Sequence, residues 1–259
     1  MLVLFCLRLA IGLVACLLLL SPKQVNPRFY RTHFLTVVGL GAAALLLGWS
    51  MSETYETWLR TLLVGALLVA LAGSLSWSLE QAPLGIAFIV LTTALLAGAI
   101  VSAEHTEQEF ASSPGVIPMT IGWRLAGDFA SAALLGAATS AMLMGHSYLI
   151  APAMSLTPLL RLLAALAIAT TARMILGGVG LGLWSSAGGR LTLGDVSVWL
   201  PVRWALGFIG PLILGWMAWR AARIRSTQSA TGILYVVVIF CFLGELTGQL
   251  LMATTGYVL

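Results

Sequence analysis

Residues 231–252 read TGILYVVVIFCFLGELTGQLLM, an apolar run with a single charged side chain, Glu245. A helix needs about 20 mostly apolar residues to cross the ~30 Å hydrocarbon core of a bilayer. The run is long enough, and it lacks the strict alternation of apolar and polar residues that is typical of a membrane β-strand. It predicts a transmembrane α-helix that carries an ionisable residue inside the membrane.

The rest of the chain has the same character. Of its 259 residues, 60% are hydrophobic and 8% are charged, whereas a soluble domain carries about 25% charged residues. Lipid must therefore be the main solvent, which predicts an all-α integral membrane protein. The net charge of +4 does not indicate a nucleic-acid partner, because the basic residues lie in short loops between apolar runs, where they set orientation.

Eight apolar runs predict eight transmembrane helices. They lie near residues 2–20, 33–51, 58–78, 83–103, 124–149, 157–184, 197–220 and 231–257. The segment Leu13–Cys16 looks like a lipoprotein cleavage box, but no basic segment precedes the first run, and the run continues through Leu20. We therefore interpret it as the first transmembrane helix.

Basic residues are distributed unevenly between the two sides of the predicted membrane. One set of loops holds Lys23, Arg28, Arg31, Arg161, Arg220, Arg223 and Arg225, and the other holds Arg60, Arg124 and Arg190. The positive-inside rule places the larger set in the cytoplasm. In a bacterial inner membrane, both termini would then be periplasmic.

Two short patterns recur at matching places in the two halves of the chain. A proline and an arginine stand nine residues apart in 22–31 and again in 152–161, and Gln-x-x-x-Gly-Ile opens the fourth helix at 81–86 and the eighth at 228–233. They predict a parallel duplication of a four-helix unit, with halves at 1–110 and 111–259. Alternatively, the prolines and arginines simply mark cytoplasmic helix ends.

Charged residues inside predicted helices are the main candidates for a functional site. They are Arg8, Asp128, Arg173, Arg203 and Glu245. Each costs about 2.5–3.5 kcal/mol at the bilayer centre on insertion scales, and a rise of 1.5 Å per residue puts all five in the outer half. Gln249, one turn beyond Glu245, adds an amide to the same helix face.

These residues have two interpretations. They form a polar pocket for a carbonyl, quinol or anionic ligand, or they pair with one another and fix helix packing. Arg8 and Arg203 could also extend outward to the interface.

The histidines are weaker candidates. His33 and His146 lie near the cytoplasmic interface, where they could ligate a b-type haem between two helices. Haem pairs lie deeper, so we favour hydrogen bonds to loop backbone or lipid headgroups and expect no haem. In the predicted loop 102–122, His105 could hold a metal weakly with its acidic neighbours Glu104, Glu107 and Glu109, although a solvated acidic loop is the preferred interpretation.

Three patches of sequence resemble a family of uncharacterised bacterial polytopic membrane proteins. They are Gly145–Arg161 (GHSYLIAPAMSLTPLLR), Arg28–Arg31 and Gly244–Leu246, and together they cover about a tenth of the chain. The resemblance implies no activity. The architecture is also similar to that of the membrane subunits of polysulfide reductase-type complexes, which have about eight helices in two bundles and a quinol site toward the outer face. That similarity is one of fold alone.

The leading hypothesis is a membrane subunit of a respiratory or other electron-transfer complex that binds quinol or anchors redox partners. The loops are short and hold no cofactor motif, so we expect other membrane or periplasmic subunits as partners and no catalytic activity of the chain alone. One alternative is a small-solute or ion transporter, which buried charges and repeats also suit. The other is a structural or assembly subunit without a ligand, which mutually paired and dry charges would favour.

Overall fold

The computed structural model describes residues 1–49, 57–79, 84–110, 120–151, 154–189 and 195–259, with the backbone alone at 49, 105–110 and 195. In these ranges all regular secondary structure is helical, and short turns join the helices. The helices are α1 (Leu2–Cys16), which continues in a 3₁₀ turn (Leu17–Leu19), α2 (Pro27–Trp49), α3 (Thr57–Ser76), α4 (Gly85–Phe110), α5 (Ile121–Ile150), α6 (Thr157–Ser186), α7 (Asp195–Trp204), a π-helical turn (Ala205–Ile209), α8 (Gly210–Arg223) and α9 (Thr227–Thr255).

Eight of the described helical segments are long and apolar enough to cross a bilayer. Helices α7 and α8 are joined by the π-helical turn and form one span, Val196–Arg223. Large apolar side chains such as Leu46, Ile168 and Val198 are exposed on the outside of these spans, where lipid would cover them. The chain is therefore an all-α, multi-pass membrane protein, as the sequence predicted.

Two helix boundaries differ from the sequence prediction in ways that matter for the site. Helix α2 begins at Pro27, six residues before the predicted start, because proline suits the first turn of a helix, where its missing N–H is not needed. His33 is therefore within α2 and fully buried. Helix α4 continues to Phe110, so Glu104 is a buried helical residue and not part of an outer loop.

Each half of the chain closes into a group of four packed helices. Helix α1 packs against α2, α2 against α3, α3 against α4, and α4 returns to α1. The second half repeats this order, with the seventh span between α6 and α9, and α9 returns to α5. Whether a duplication produced the two halves, with their boundary near residue 110, stays a prediction.

The two groups meet mainly where α1 crosses α5. At this crossing Gly12 faces Ala132 and Gly136, and a Cβ atom on either glycine would overlap the backbone of the other helix. Small residues let the two backbones approach closely, as is common in membrane helix packing. The seam between the halves therefore depends on these glycines.

Residues 257–259 turn back into the protein after α9. Gly256 ends the helix with φ +74°, a left-handed conformation that favours glycine, and its N–H donates to the Met252 carbonyl at 2.8 Å. Val258 then lies against Gly180 of α6, and Leu259 is fully buried. This return brings the Leu259 carbonyl next to the buried charges.

Candidate functional site

The structure brings six predicted residues into one buried network, which we call the polar cluster. Its members are Arg8 (α1), Asp128 (α5), Arg173 (α6), Arg203 (α7), Glu245 and Gln249 (both α9). None of the six is more than 6% exposed. Burying polar side chains costs free energy unless they find hydrogen-bond or ion-pair partners, and these six residues supply partners to one another.

Glu245 is the acceptor at the centre of the cluster. Its Oε1 atom accepts a hydrogen bond from Arg203 Nη2 at 2.9 Å and lies 3.6 Å from Arg173 Nε. Arg173 Nε also donates to the Ser131 hydroxyl at 2.9 Å. One carboxylate therefore serves two guanidinium groups, from α6 and α7.

Arg203 occupies a slot made of glycine. A Cβ atom on Gly248 would lie 3.1 Å from Arg203 Cζ, and one on Gly207 would lie 3.0 Å from Arg203 Nη1. The Phe208 ring covers one side of the guanidinium, with 4.4 Å between Cζ and the ring centroid, a cation–π arrangement. The slot holds Arg203 with no exposed surface, so the predicted alternative that it extends to the interface is wrong.

The Leu259 carbonyl oxygen joins both arginines from the other side. It accepts from Arg203 Nε at 3.3 Å and from Arg173 Nη2 at 3.5 Å. In this position the oxygen satisfies guanidinium donors that would otherwise lie buried and unpaired.

Arg8 forms the second buried ion pair. Its Nη2 atom bonds Asp128 Oδ1, and it is 4% exposed, so it does not extend outward either. With its amide oriented to satisfy both neighbours, Gln249 accepts from Arg8 Nη1 at 3.0 Å and donates to the Met1 carbonyl at 2.8 Å. Gln249 thereby ties α9 to α1 across the two halves of the chain.

Sequence reasoning missed three residues of this region: Ser131, Glu104 and Arg124. Glu104 Oε2 accepts from Arg124 Nε at 2.5 Å, and its side chain is fully buried. The signal was present, because Leu96, Ile100 and Glu104 follow one another at helical spacing and all three are buried. The polarity of residues 102–109 concealed it by suggesting a loop.

The cluster lies toward one end of the bundle. Arg8 is six residues from the start of α1 and Asp128 seven from the start of α5. The opposite end holds seven exposed basic residues, Lys23, Arg28, Arg31, Arg161, Arg220, Arg223 and Arg225, which we call the basic end. Buried charge and exposed charge therefore occupy opposite ends of the molecule.

The two histidines do not face each other. His33 is fully buried on α2, where Nδ1 lies 2.9 Å from the Phe29 carbonyl and Nε2 lies 3.1 Å from Ser140 Oγ. His146 is exposed on α5. Both ring nitrogens of His33 are thus engaged by the protein, and the expectation of no haem stays a prediction.

The predicted weak metal group falls largely outside the described side chains, which do not include His105, Glu107 and Glu109. Among the side chains that are described, no three His, Cys, Asp or Glu residues are grouped as metal ligands.

An open hollow of about 340 Å³ lies between α6 and α7, lined by Leu181, Leu200, Pro201 and Trp204. Its volume is at the lower end of the ~300–1,000 Å³ typical of ligand pockets. The Trp204 ring meets Phe208 edge to face, with 5.4 Å between centroids, and Phe208 covers Arg203. The hollow is therefore separated from the polar cluster by two aromatic rings.

Comparison with known protein families, curated proteins and solved structures finds no match for this chain. The fold and the site define a multi-pass α-helical membrane protein with a buried ion-pair network. Its function has to be inferred from its own residues.

Proposed function

We propose that this chain is the quinol-binding membrane subunit of an electron-transfer complex, with the hollow beside Trp204 as its ligand site. The observation that carries the proposal is an apolar hollow on a membrane-spanning surface, walled by α6 and α7. An isoprenoid quinol reaches a protein from within the bilayer, so its site has to open toward lipid. Leu181, Leu200 and Pro201 offer an apolar wall for such a ligand.

The wall of the hollow is wholly apolar as it stands, so we infer that a turn of the Trp204 ring would bring its N–H to the ligand. Its indole Nε1 is buried and has no hydrogen-bond acceptor within the described part of the chain. A buried donor without an acceptor costs free energy, and a ligand carbonyl or hydroxyl oxygen would satisfy it. Ligand sites typically combine an apolar wall with a few polar groups of this kind.

The polar cluster supplies the electrostatic background of the site. Arg203 lies behind Phe208, and Arg8, Arg173 and Arg203 together outnumber the acids Asp128 and Glu245. An excess of guanidinium groups over acidic side chains in a buried environment favours electron-rich and anionic ligand forms nearby. The short loops leave little room for a second redox centre in this chain, so partner subunits would exchange the electrons.

Two features support the alternative functions. The π-helical turn Ala205–Ile209 interrupts the seventh span two residues after Arg203, and interrupted helices beside buried charges are typical of transporters. The pairing and burial of the cluster support a structural or assembly subunit. Uptake of a solute by the isolated chain in proteoliposomes would favour transport over quinol binding.

The direct test is photolabelling of the native membrane complex with an azido-quinone, competed by unlabelled menaquinone and ubiquinone analogues. Label is expected on peptides of α6 and α7. Leu200→Trp, which fills the hollow, is expected to raise the Kd at least tenfold, about 1.4 kcal/mol. Trp204→Phe, which keeps the ring and removes the donor, is expected to weaken binding about fivefold, as one hydrogen bond of about 1 kcal/mol implies.

Ile213→Trp is the matched control, since residue 213 is an exposed apolar residue of the same span and its replacement should leave Kd unchanged. If Leu200→Trp binds like the original protein while Arg173→Gln, which should remain folded, abolishes binding, the ligand occupies the cluster and not the hollow. If specific labelling is absent altogether, the quinol proposal fails.

A further inference from the structure

Three arginines follow one another closely where α8 ends and the chain turns into α9. Arg220 and Arg223 are in the last turn of α8, Arg225 lies in the turn to α9, and all three are exposed. We call them the arginine turn. Residues three apart on a helix are neighbours on its surface, so Arg220 and Arg223 repel each other unless an anion lies nearby. None of the three forms an ion pair within the described part of the chain.

The chain supplies little negative charge to balance the arginine turn. The carboxyl end of a helix carries a partial charge of about half an elementary charge, against three guanidinium groups. By the order of the helices, Glu80 is the one acid of the sequence that falls at the basic end, and it lies outside the described residues. The arginine turn therefore has positive charge available for an external anion.

Arg225 occupies a position where glycine is usual. Its φ is +59°, its N–H donates to the Ala222 carbonyl at 2.9 Å, and the Ser226 N–H donates to the Ala221 carbonyl at 3.0 Å. This is the Schellman motif, whose left-handed residue is normally glycine, because a Cβ atom is disfavoured there. The backbone would favour glycine, so what Arg225 contributes to this turn is its charge.

An exposed apolar stripe runs along α8 from the arginine turn toward the middle of the membrane. It consists of Ile213, Trp216 and Met217, which are exposed and share one face of the helix with Arg220. The Trp216 ring lies beside the Arg220 guanidinium, with 5.2 Å between Cζ and the ring centroid, a cation–π arrangement. Positive charge and apolar surface are therefore continuous on one side of this span.

We propose that the arginine turn and the apolar stripe together bind one anionic phospholipid, such as phosphatidylglycerol. The arginines hold the headgroup phosphate, which guanidinium groups bind through paired hydrogen bonds, and an acyl chain lies along the stripe. Basic clusters directly beside a membrane span typically recognise anionic lipids. A lipid fits this surface better than an acidic protein segment, because it brings a phosphate and an apolar chain together from within the bilayer.

Binding of fluorescent phosphatidylglycerol to the purified full-length chain in neutral detergent micelles tests the proposal, with fluorescent phosphatidylcholine as the zwitterionic probe. We expect the Kd of phosphatidylglycerol to be lower by about tenfold or more. Arg220→Gln and Arg223→Gln are each expected to raise it about fivefold, as one basic residue near an anionic headgroup implies. The Kd of phosphatidylcholine should stay unchanged in both variants.

Arg225→Gly separates lipid binding from folding. It removes one charge and places glycine at the left-handed position, so it should raise the Kd of phosphatidylglycerol about fivefold. In zwitterionic lipid, the same change should increase the free energy of unfolding, because glycine suits this backbone conformation. Weaker binding in a more stable protein cannot come from a folding defect. Unchanged binding by Arg225→Gly would remove Arg225 from the site and overturn the proposal as stated.

Arg31→Gln is the matched control, since it removes the same charge from the basic end but from α2, in the other group of four helices. It should change the Kd of phosphatidylglycerol less than about twofold. If it weakens binding as much as Arg220→Gln does, only the overall charge of the basic end is felt, and the proposal is overturned.

Two further results would overturn the proposal. Equal binding of the two lipids would leave an acidic segment of a partner protein as the occupant of the arginine turn. Displacement of the labelled lipid by free glycerol phosphate would mean that the phosphate alone is recognised and that the apolar stripe has no part. The site lies at the other end of the seventh span from the hollow, so failure of the azido-quinone to label the protein would leave all of these results unaffected.

Discussion

Glu245→Gln should be the most destabilising change that can be made in the polar cluster without altering side-chain volume. The carboxylate is the shared counter-ion of Arg203 and Arg173, at 2.9 and 3.6 Å. The amide keeps one acceptor oxygen but removes the negative charge. Two guanidinium groups would then be buried without a counter-ion at this position, with the amide oxygen, the Ser131 hydroxyl and the Leu259 carbonyl as acceptors.

The expected loss of unfolding free energy follows from the fact that one carboxylate is shared by two guanidinium groups. Removing one partner of a buried ion pair costs about 3–5 kcal/mol, because the other partner is left buried and unpaired. Glu245→Gln should reach or exceed the upper part of that range, since two arginines lose their partner. Arg173→Gln leaves the shorter Arg203–Glu245 pair intact and relieves the repulsion between the two arginines. Its cost should be about 0–2 kcal/mol, the hydrogen bonds to Ser131 and Leu259 being what is lost.

Arg203→Gln should fall between these two, because Glu245 keeps a partner at the longer distance but the glycine slot loses its occupant. The assay is reversible unfolding in bicelles or mixed micelles of fixed composition, with the free energy of unfolding measured for each variant. Arg223→Gln, an exposed change at the basic end, should lie within about 0.5 kcal/mol of the original protein. If Arg173→Gln destabilises as much as Glu245→Gln, the shared counter-ion reasoning is refuted.

Two glycine substitutions test close backbone approaches. Gly180→Ala places a Cβ atom against the Val258 carbonyl and should displace residues 257–259, with a cost of about 1–3 kcal/mol and faster hydrogen exchange in that segment; Gly182→Ala, where nothing lies within 4 Å, should change neither quantity. Gly136→Ala would overlap the backbone at Gly12 and should separate α1 from α5, with a similar loss of unfolding free energy. Gly39→Ala, with no neighbour within 4 Å, is its control, and equal effects of the two would contradict the packing described for the seam.

The membrane fold was predictable because lipid imposes a simple rule on composition and length. An apolar run of about 20 residues is visible in any sequence. Because the connections between runs are short, few arrangements of consecutive helices are possible. The helix ends were harder to predict, as α2 and α4 show. Hydropathy falls where a helix leaves the hydrocarbon core, but the backbone remains helical as long as its polar side chains find partners or water.

The membership of the polar cluster was predictable, and its pairing was not. A charge in an apolar run is conspicuous, and helical rise gives its depth, so Arg8, Asp128 and Glu245 could be assigned to a common level. Which arginine meets which acid depends on helix rotation and on neighbours far apart in sequence. Glu104 was not predicted to be buried because it lies at the edge of its apolar run. The contact of Leu259 was not predicted because a backbone carbonyl carries no signal in the sequence.

The order in which the partners occur along the chain has a consequence for biogenesis. Arg8 precedes its acid, Asp128, by 120 residues, and Arg203 precedes Glu245 by 42. As the nascent chain leaves the ribosome, each of these arginines therefore enters the translocon before its counter-ion exists. Helix α1 must remain near water or near the insertion machinery until α5 is synthesised, and the seventh span must do so until α9 is synthesised. Because α9 carries the acid that pairs with Arg203, the seventh span can reach its final packing only after α9 has been synthesised.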